Sequence, residues 1–333
     1  MRERWTRTTA KLQLDAEAVA RLMEPAFPGA TVTEFARAKG GLMNTNLQVH
    51  LSNRAQPVLL RLYQRDAAQA RIEVAATRRV AGQIPVPSLI HYSDDNPITG
   101  GAYAIMEWIE GERLEIVAPT LGRDDFAQLG RFLGQTLGAI HGFQFDRTGF
   151  LDEELDVAEP ADVGHSGLIA YLEHCLMAGR GGARLGEELT SELLAFAERR
   201  SDLLDTWPGA PCLVHSDFNG SNILVHQRPS DGDWEVAAVL DWEFAFSGSP
   251  AFDFGNLLRP LLGDVEVFAE ATAEGYRQSG RELPTNWRRI ARVAGLFAWA
   301  EFLDRPNLDA AWIDDAHKII GSTIAEPDAR DWG

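Results

Sequence analysis

The stretch LVHSDFNGSNILV, residues 213–225, constrains this chain more than any other. One apolar run enters a polar loop and a second leaves it, so the loop must hang between two short strands. His215, Asp217 and Asn222 are spaced as H-x-D-x-x-x-x-N within it. Phosphoryl transfer needs a carboxylate within reach of an attacking hydroxyl, and an oxygen ligand for a metal that neutralises phosphate charge. An Asp and an Asn on one tight loop can supply both. An Asx-rich turn between strands would use the same residue types. The next segment, VAAVLDWEFAF at 236–246, tips the balance: a further apolar run delivers Asp241 at a strand end, one short hairpin after Asn222. Mg²⁺ takes a few hard protein oxygens and completes its shell with water and phosphate. Asn222 and Asp241 on successive strand ends fit that requirement better than a capping role for Asp241 alone.

The rest of the chain supplies a frame. DAEAVARLMEPAF, from Asp15, reads as a capped amphipathic helix. TVTEFARA, NLQVHLS and PVLLRLYQ read as an antiparallel meander, broken first by Lys39–Asn44 and then by Asn53–Gln56. Helical spacing over 66–81 is followed by strands near 88–92 and 102–108. Beyond that, long helical patterns cover 124–141, 168–178, 187–206, 265–279, 285–302 and 309–324, with short strands near 212–215, 223–226 and 235–240. A small β-rich lobe followed by a larger, mostly helical one is an α+β arrangement. The expected division is an N-terminal lobe at 1–107, a hinge at 108–113 where Glu110-Gly111-Glu112 breaks the pattern, and a C-terminal lobe at 114–333.

Composition narrows the partners. A formal net charge of −18 repels nucleic acid unless a local basic patch overrides it. Cys175 and Cys212 stand far apart, outside any CxxC or Cys/His cluster, which disfavours a disulfide framework or a zinc site and fits a reducing compartment. The start of the sequence lacks a signal-peptide pattern, and no apolar run is long enough to cross a bilayer. A cytoplasmic protein without a membrane partner is expected.

The segments HSDFNGSNIL and LDWEFAFSGSPAFDFGNLL, in this order and spacing, resemble the catalytic loop and the metal-binding segment of the aminoglycoside phosphotransferase family, which shares the protein-kinase fold. The resemblance runs from Gly40 to Asp253. It implies a two-lobed kinase-like fold, Asp217 as catalytic base, Asn222 and Asp241 as Mg²⁺ ligands, and ATP or GTP as donor. Trp242-Glu243 stands where protein kinases have Phe-Gly, which argues against a protein kinase. By the same resemblance Arg61, in PVLLRLYQ, occupies the place of the phosphate-contacting Lys. Arg can grip phosphate bidentately, although an exposed strand arginine would look the same. Glu73 lies where the acidic partner of that residue is expected. Gly40 and Gly41 match the phosphate-covering turn, with Asn44 adding a polar contact, but GxGxxG is absent. Met106-Glu107-Trp108-Ile109 resembles a hinge whose Glu107 carbonyl and Ile109 N–H would bond the base edge; a plain strand end fits too. His141, His215 and Asp253 read as structural braces.

The function implied is transfer of a γ-phosphoryl group to a hydroxyl of a small molecule: an aminoglycoside-like antibiotic, an amino alcohol or a sugar-like metabolite. The alternative is a catalytically silent nucleotide-binding scaffold. A metal-dependent hydrolase would need HxH or HExxH, and neither occurs. Glu153, Glu154, Asp156, Glu159 and Asp162 make one helical-lobe insertion acidic, which suits an amine-bearing acceptor or simply a solvated loop.

Overall fold

The computed structural model describes residues 12–38, 44–64, 67–259 and 262–325. Helix α1 (Ala16–Met23) starts where expected, with the Asp15 carboxylate accepting from the Ala18 amide at 2.8 Å. It lays Val19, Leu22 and Met23 on an antiparallel sheet of β1 (Val32–Arg37), β2 (Thr45–Leu51), β3 (Val58–Leu62), β4 (Leu89–Ser93) and β5 (Tyr103–Glu107). The strand order is β1-β2-β3-β5-β4. Period-2 alternation decides which side chains face that helix: Leu47, Val49 and Leu51 from β2, and Leu60 and Leu62 from β3. Arg61 necessarily points the other way, and is paired across the sheet with Asn46 and Ala104. Helix α2 (Ala67–Val80), between β3 and β4, brings Glu73 to that side.

After β5 the chain leaves this sheet. The two-residue β6 (Glu112–Arg113) joins a three-stranded sheet with β10 (Ile223–Gln227) and β11 (Trp234–Val239). A four-stranded sheet is built from β7 (Gly149–Leu151), β8 (Val157–Pro160), β9 (Cys212–Val214) and β12 (Phe246–Gly248). Around these lie α3 (Leu114–Val117), α4 (Arg123–Ile140), α5 (His165–Leu172), α6 (Gly181–Leu185), α7 (Glu187–Arg200), α8 (Ala251–Leu257), α9 (Glu266–Gln278), α10 (Trp287–Asp304) and α11 (Ala310–Ala325). The result is a two-lobed α+β fold.

Glycines set the closest helix contact. A Cβ on Gly134 of α4 would lie 2.0 Å from the Thr272 carbonyl oxygen of α9, and one on Gly275 would lie 2.0 Å from that of Arg131. Only glycine allows the two backbones to approach so closely. Two expected helices end differently from their sequence pattern. The one read over 168–178 begins earlier, at His165, and its end widens into a π-helix at Glu173–Ala178. The one read over 187–206 tightens to a 3₁₀-helix at Ser201–Thr206, where the Ser201 hydroxyl bonds back to the Ala197 carbonyl at 2.7 Å. No helix among the described residues is long and apolar enough to cross a membrane.

Candidate active site

The loop from β9 to β10 carries His215, Asp217 and Asn222, and its backbone is tied down by a buried carboxylate. Asp253, in the first turn of α8 and fully buried, accepts the His215 amide at 2.9 Å and the Ser216 amide at 2.8 Å. The same carboxylate bonds His141 Nε2 at 3.2 Å, and His141 Nδ1 meets the Tyr276 hydroxyl at 3.1 Å. Asn256, one turn further along α8, donates to the Ser216 carbonyl at 2.7 Å. These bonds hold Ser216 at φ +68°, a left-handed conformation rare outside glycine. His215 Nε2 faces the Leu240 carbonyl at 2.9 Å, which fixes the proton there and leaves Nδ1 to accept the Asp217 amide at 3.2 Å. His141, His215 and Asp253 are therefore braces.

Asp217 then points into a cavity of about 1320 Å³ between the lobes. Its carboxylate accepts Asn219 Nδ2 at 2.6 Å and Asn222 Nδ2 at 2.8 Å. The β10–β11 ladder, with Ile223 opposite Val239, extends by a bond from the Leu240 amide to the Asn222 carbonyl at 2.8 Å. That bond sets Asn222 beside Asp241. Asp241 also has positive φ, +64°, and turns the chain sharply out of β11 at the cavity wall.

The opposite wall is the N-terminal sheet. Arg61 is buried, with Glu73 at 3.3 Å, a direct ion pair to Asp241, and Glu243 at 3.9 Å. Glu243 also accepts from Asn44 Nδ2 at 3.2 Å, and Asn44 Oδ1 takes the Gln64 amide at 3.3 Å. Burial works to lower the pKa of Arg61, but the carboxylates of Asp241, Glu73 and Glu243 carry it well above its ordinary value, so it stays charged. Burial pushes Glu73 up to about 7, against the pull of Arg61 and with the help of Asp241 and Glu243.

Asp217, Asn222, Asp241, Arg61, Asn44, Glu107 and Ile109 thus line one cavity. Glu73 does not; it stands behind Arg61 and orients it. Gly40 and Gly41 lie outside the described residues. Of the acidic insertion, only Asp162 lines the cavity, and Glu153 is paired instead with Arg71 on α2 at 3.1 Å. Two residues here were not singled out as site residues in the sequence. Glu243 was visible only as a departure from Phe-Gly. Arg259, just past α8, carries no local signal of its own.

The arrangement has the oxygen donors for a hard cation in Asn222 and Asp241. Among the described residues no group of three or more His, Cys, Asp or Glu side chains could hold a metal alone. A site completed by phosphate and water suits that donor set.

Comparison with known proteins agrees with this geometry. The model of the phosphotransferase enzyme family, APH, matches residues 34–292, well over half of the chain. Among solved structures, aminoglycoside phosphotransferase APH(4)-Ia is similar at 17% identity and a TM-score of 0.65, covering 93% of this chain and 98% of its own. The GDP and kanamycin complex of APH(2″)-IIIa gives 15% identity and a TM-score of 0.69, covering 93% and 98%. At such identities these likenesses speak for the fold. Two curated proteins match over part of their length: probable acyl-CoA dehydrogenase IBR3 of Arabidopsis thaliana, 22% identical over 60% of this chain, and acyl-CoA dehydrogenase family member 11 of Rattus norvegicus, 26% identical over 52%. The aligned stretches make up only 23% and 20% of those two proteins.

Proposed function

Because the chain belongs to the phosphotransferase enzyme family, we propose that it moves the γ-phosphoryl group of ATP or GTP to a hydroxyl of a small molecule, with Asp217 as base. The observation that carries this reading is the convergence of Asp217, Asn222, Asp241 and Arg61 on one cavity between the lobes. Residues 108–113 would act as the hinge between a nucleotide lobe at 1–107 and a catalytic lobe at 114–333. In support, β5 ends at Glu107 and β6, starting at Glu112, already belongs to another sheet. Glu107 and Ile109 line the cavity at that crossing, where the base edge would meet backbone.

The acceptor hydroxyl would lie against Asp217, whose carboxylate is oriented by Asn219 and Asn222. As the hydroxyl oxygen bonds to the γ-phosphorus, its proton passes to Asp217. The bond from that phosphorus to the bridging oxygen breaks, and the nucleoside diphosphate leaves with the electron pair. Asn222 and Asp241 would hold Mg²⁺, which supplies charge neutralisation across the phosphates. Arg61, kept cationic and aimed by Glu73, would bind phosphate oxygens. Most of the rate gain would come from positioning and fixed charge.

The test is nucleotide consumption with ATP and GTP in parallel against a panel of hydroxyl compounds, with Asp217→Asn as control. Acceptor-dependent consumption that disappears in the variant supports the reading. Tight nucleotide binding without turnover of any acceptor would favour a silent scaffold.

A further inference from the structure

Opposite the nucleotide side, the cavity is walled by aromatic rings and holds an arginine beside the proposed base. Arg259 Nη1 lies 4.0 Å from Asp217 Oδ1. Its guanidinium carbon sits 5.6 Å from the Trp299 ring and 5.5 Å from the Phe302 ring, both on α10. Nη2 bonds to Asn256 Oδ1, and Asn256 in turn donates to the Ser216 carbonyl. The same short chain of contacts therefore fixes the cation and the loop carrying Asp217. The side chain is only 12% exposed, and what it exposes faces the cavity.

The surrounding surface is apolar. Phe252, Phe297 and Phe302 line it, and Phe150 and Ile116 stand at its mouth with 56% and 44% of their surfaces in solvent. Exposed large side chains gathered at a cavity rim mark a surface that an apolar ligand would cover. The acidic groups at this end are partly engaged. Glu301 is bonded to Arg305 at 2.7 Å, and Asp162 accepts the Gly164 amide at 3.0 Å, while Glu115 lies near the mouth. A polyammonium acceptor with its hydroxyl on Asp217 would bring a cation against Arg259 in a partly dry site, where like charges repel strongly.

We propose that the acceptor is a hydroxyl compound with an apolar body and a carboxylate close to the reacting hydroxyl, the carboxylate bound by Arg259 and the body by the aromatic wall. This deepens the phosphotransferase reading and rests on it. Arg259 is an acceptor-binding residue: its fork pairs with a carboxylate while Asp217 takes the hydroxyl proton, and the γ-phosphoryl group is exchanged for that proton as described above. The product is a phosphate monoester that still carries its carboxylate.

Three probes separate the possibilities, each assayed with MgATP and MgGTP: 3-phenyllactate, 1-phenyl-2-propanol, in which a methyl group replaces the carboxylate, and kanamycin. The expected kcat/KM for 3-phenyllactate exceeds that for the neutral alcohol by about 10- to 100-fold, the worth of one charge-assisted contact, and kanamycin is a poor acceptor. Arg259→Leu lowers kcat/KM for 3-phenyllactate by about that factor more than for the alcohol, and Arg259→Lys restores part of the preference. Nucleotide-induced thermal stabilisation of each variant checks that it is folded. Kanamycin as the best acceptor, equal use of acid and alcohol, or an equal loss on both in Arg259→Leu each overturns the proposal; the last would place Arg259 on the phosphates. Turnover of none of the three by a protein that MgATP or MgGTP stabilises also overturns it, and leaves the phosphotransferase reading standing. Absence of any nucleotide stabilisation is the separate result that would sink that reading itself.

Discussion

The two walls of the cavity are held in different ways. On the helical side, the loop bearing Asp217 is over-determined: Asp253, Asn256, His141 and His215 fix its backbone through bonds of 2.7–3.2 Å. On the sheet side, Arg61 gathers Glu73, Asp241 and Glu243 around one buried guanidinium. One wall is held by hydrogen bonds to backbone, the other by charge. Under the proposed function a base has to be aimed before the acceptor arrives, whereas a phosphate wall would meet charge that comes and goes with the nucleotide and its metal. Four substitutions test whether that division is real.

The largest effect is expected on the hydrogen-bonded wall. Asp217→Asn keeps size and hydrogen-bonding capacity but cannot take a proton, so turnover should fall by roughly 10²–10⁴. Nucleotide-induced thermal stabilisation should stay near normal, because Asn222, Asp241 and Arg61 are intact. Near-normal turnover would reduce Asp217 to a turn residue, and loss of folding would make it part of the brace.

Asp253→Ala probes the brace directly. It strands the His215 and Ser216 amides and the His141 ring in a buried site. Removing one partner from such a network costs about 3–5 kcal/mol. Urea unfolding should show a lower midpoint with an unchanged slope. A cost below about 1 kcal/mol would mean the loop holds its shape by other means.

How much of this was legible in the sequence divides along the same line. The Asp217 loop and Asp241 could be read because strand, polar loop and strand are local and have a fixed spacing. The sheet could be read as a meander of strand-like runs, with Arg61 singled out by resemblance; that it faces away from Leu60 and Leu62 is a finding of the structure. What could not be read is what meets across the cavity. Arg61 and Glu243 are far apart in the chain, and the close pair is created only by the fold. Arg259 has no motif around it; its meaning comes from Asn256, Trp299 and Phe302, which α8 and α10 bring together. The strands β7, β8 and β12 went unseen because they are three or four residues long, too short for a period to show. The acidic insertion, readable as suited to an amine-bearing acceptor or as a solvated loop, turns Glu153 toward Arg71 and brings only Asp162 to the cavity.

The charged wall should reveal itself through pH. Glu73 has a folded pKa of about 7 against an ordinary 4.5. The folded state thus holds a proton that the unfolded state has lost across that interval. Its contribution to stability is full below about 4.5 and disappears as pH rises through about 7. Glu73→Gln mimics the protonated form and lacks this dependence. Between pH 5 and pH 8 the native chain should therefore lose on the order of 3 kcal/mol relative to the variant, read from denaturant midpoints at the two pH values. Parallel curves would show that Arg61 holds Glu73 ionised throughout.

The smallest effect, and the most specific, concerns Asp241. If Asp241 holds the cation with Asn222, part of the stabilisation by nucleotide must depend on Mg²⁺. A ligand at a hundredfold excess over its Kd stabilises the folded state by about 2.7 kcal/mol, so a tenfold gain in affinity from the metal appears as a further ~1.4 kcal/mol. Asp241→Ala should erase that increment while leaving the metal-independent part. The variant also frees Arg61 from its direct ion pair, so nucleotide without Mg²⁺ should bind at least as well as it does to the native chain. This second arm separates a metal ligand from a carboxylate that merely restrains Arg61. Loss of the Mg²⁺ response with unweakened metal-free binding places Asp241 on the metal. An unchanged Mg²⁺ response removes it from the metal site and leaves it as a counter-charge of Arg61.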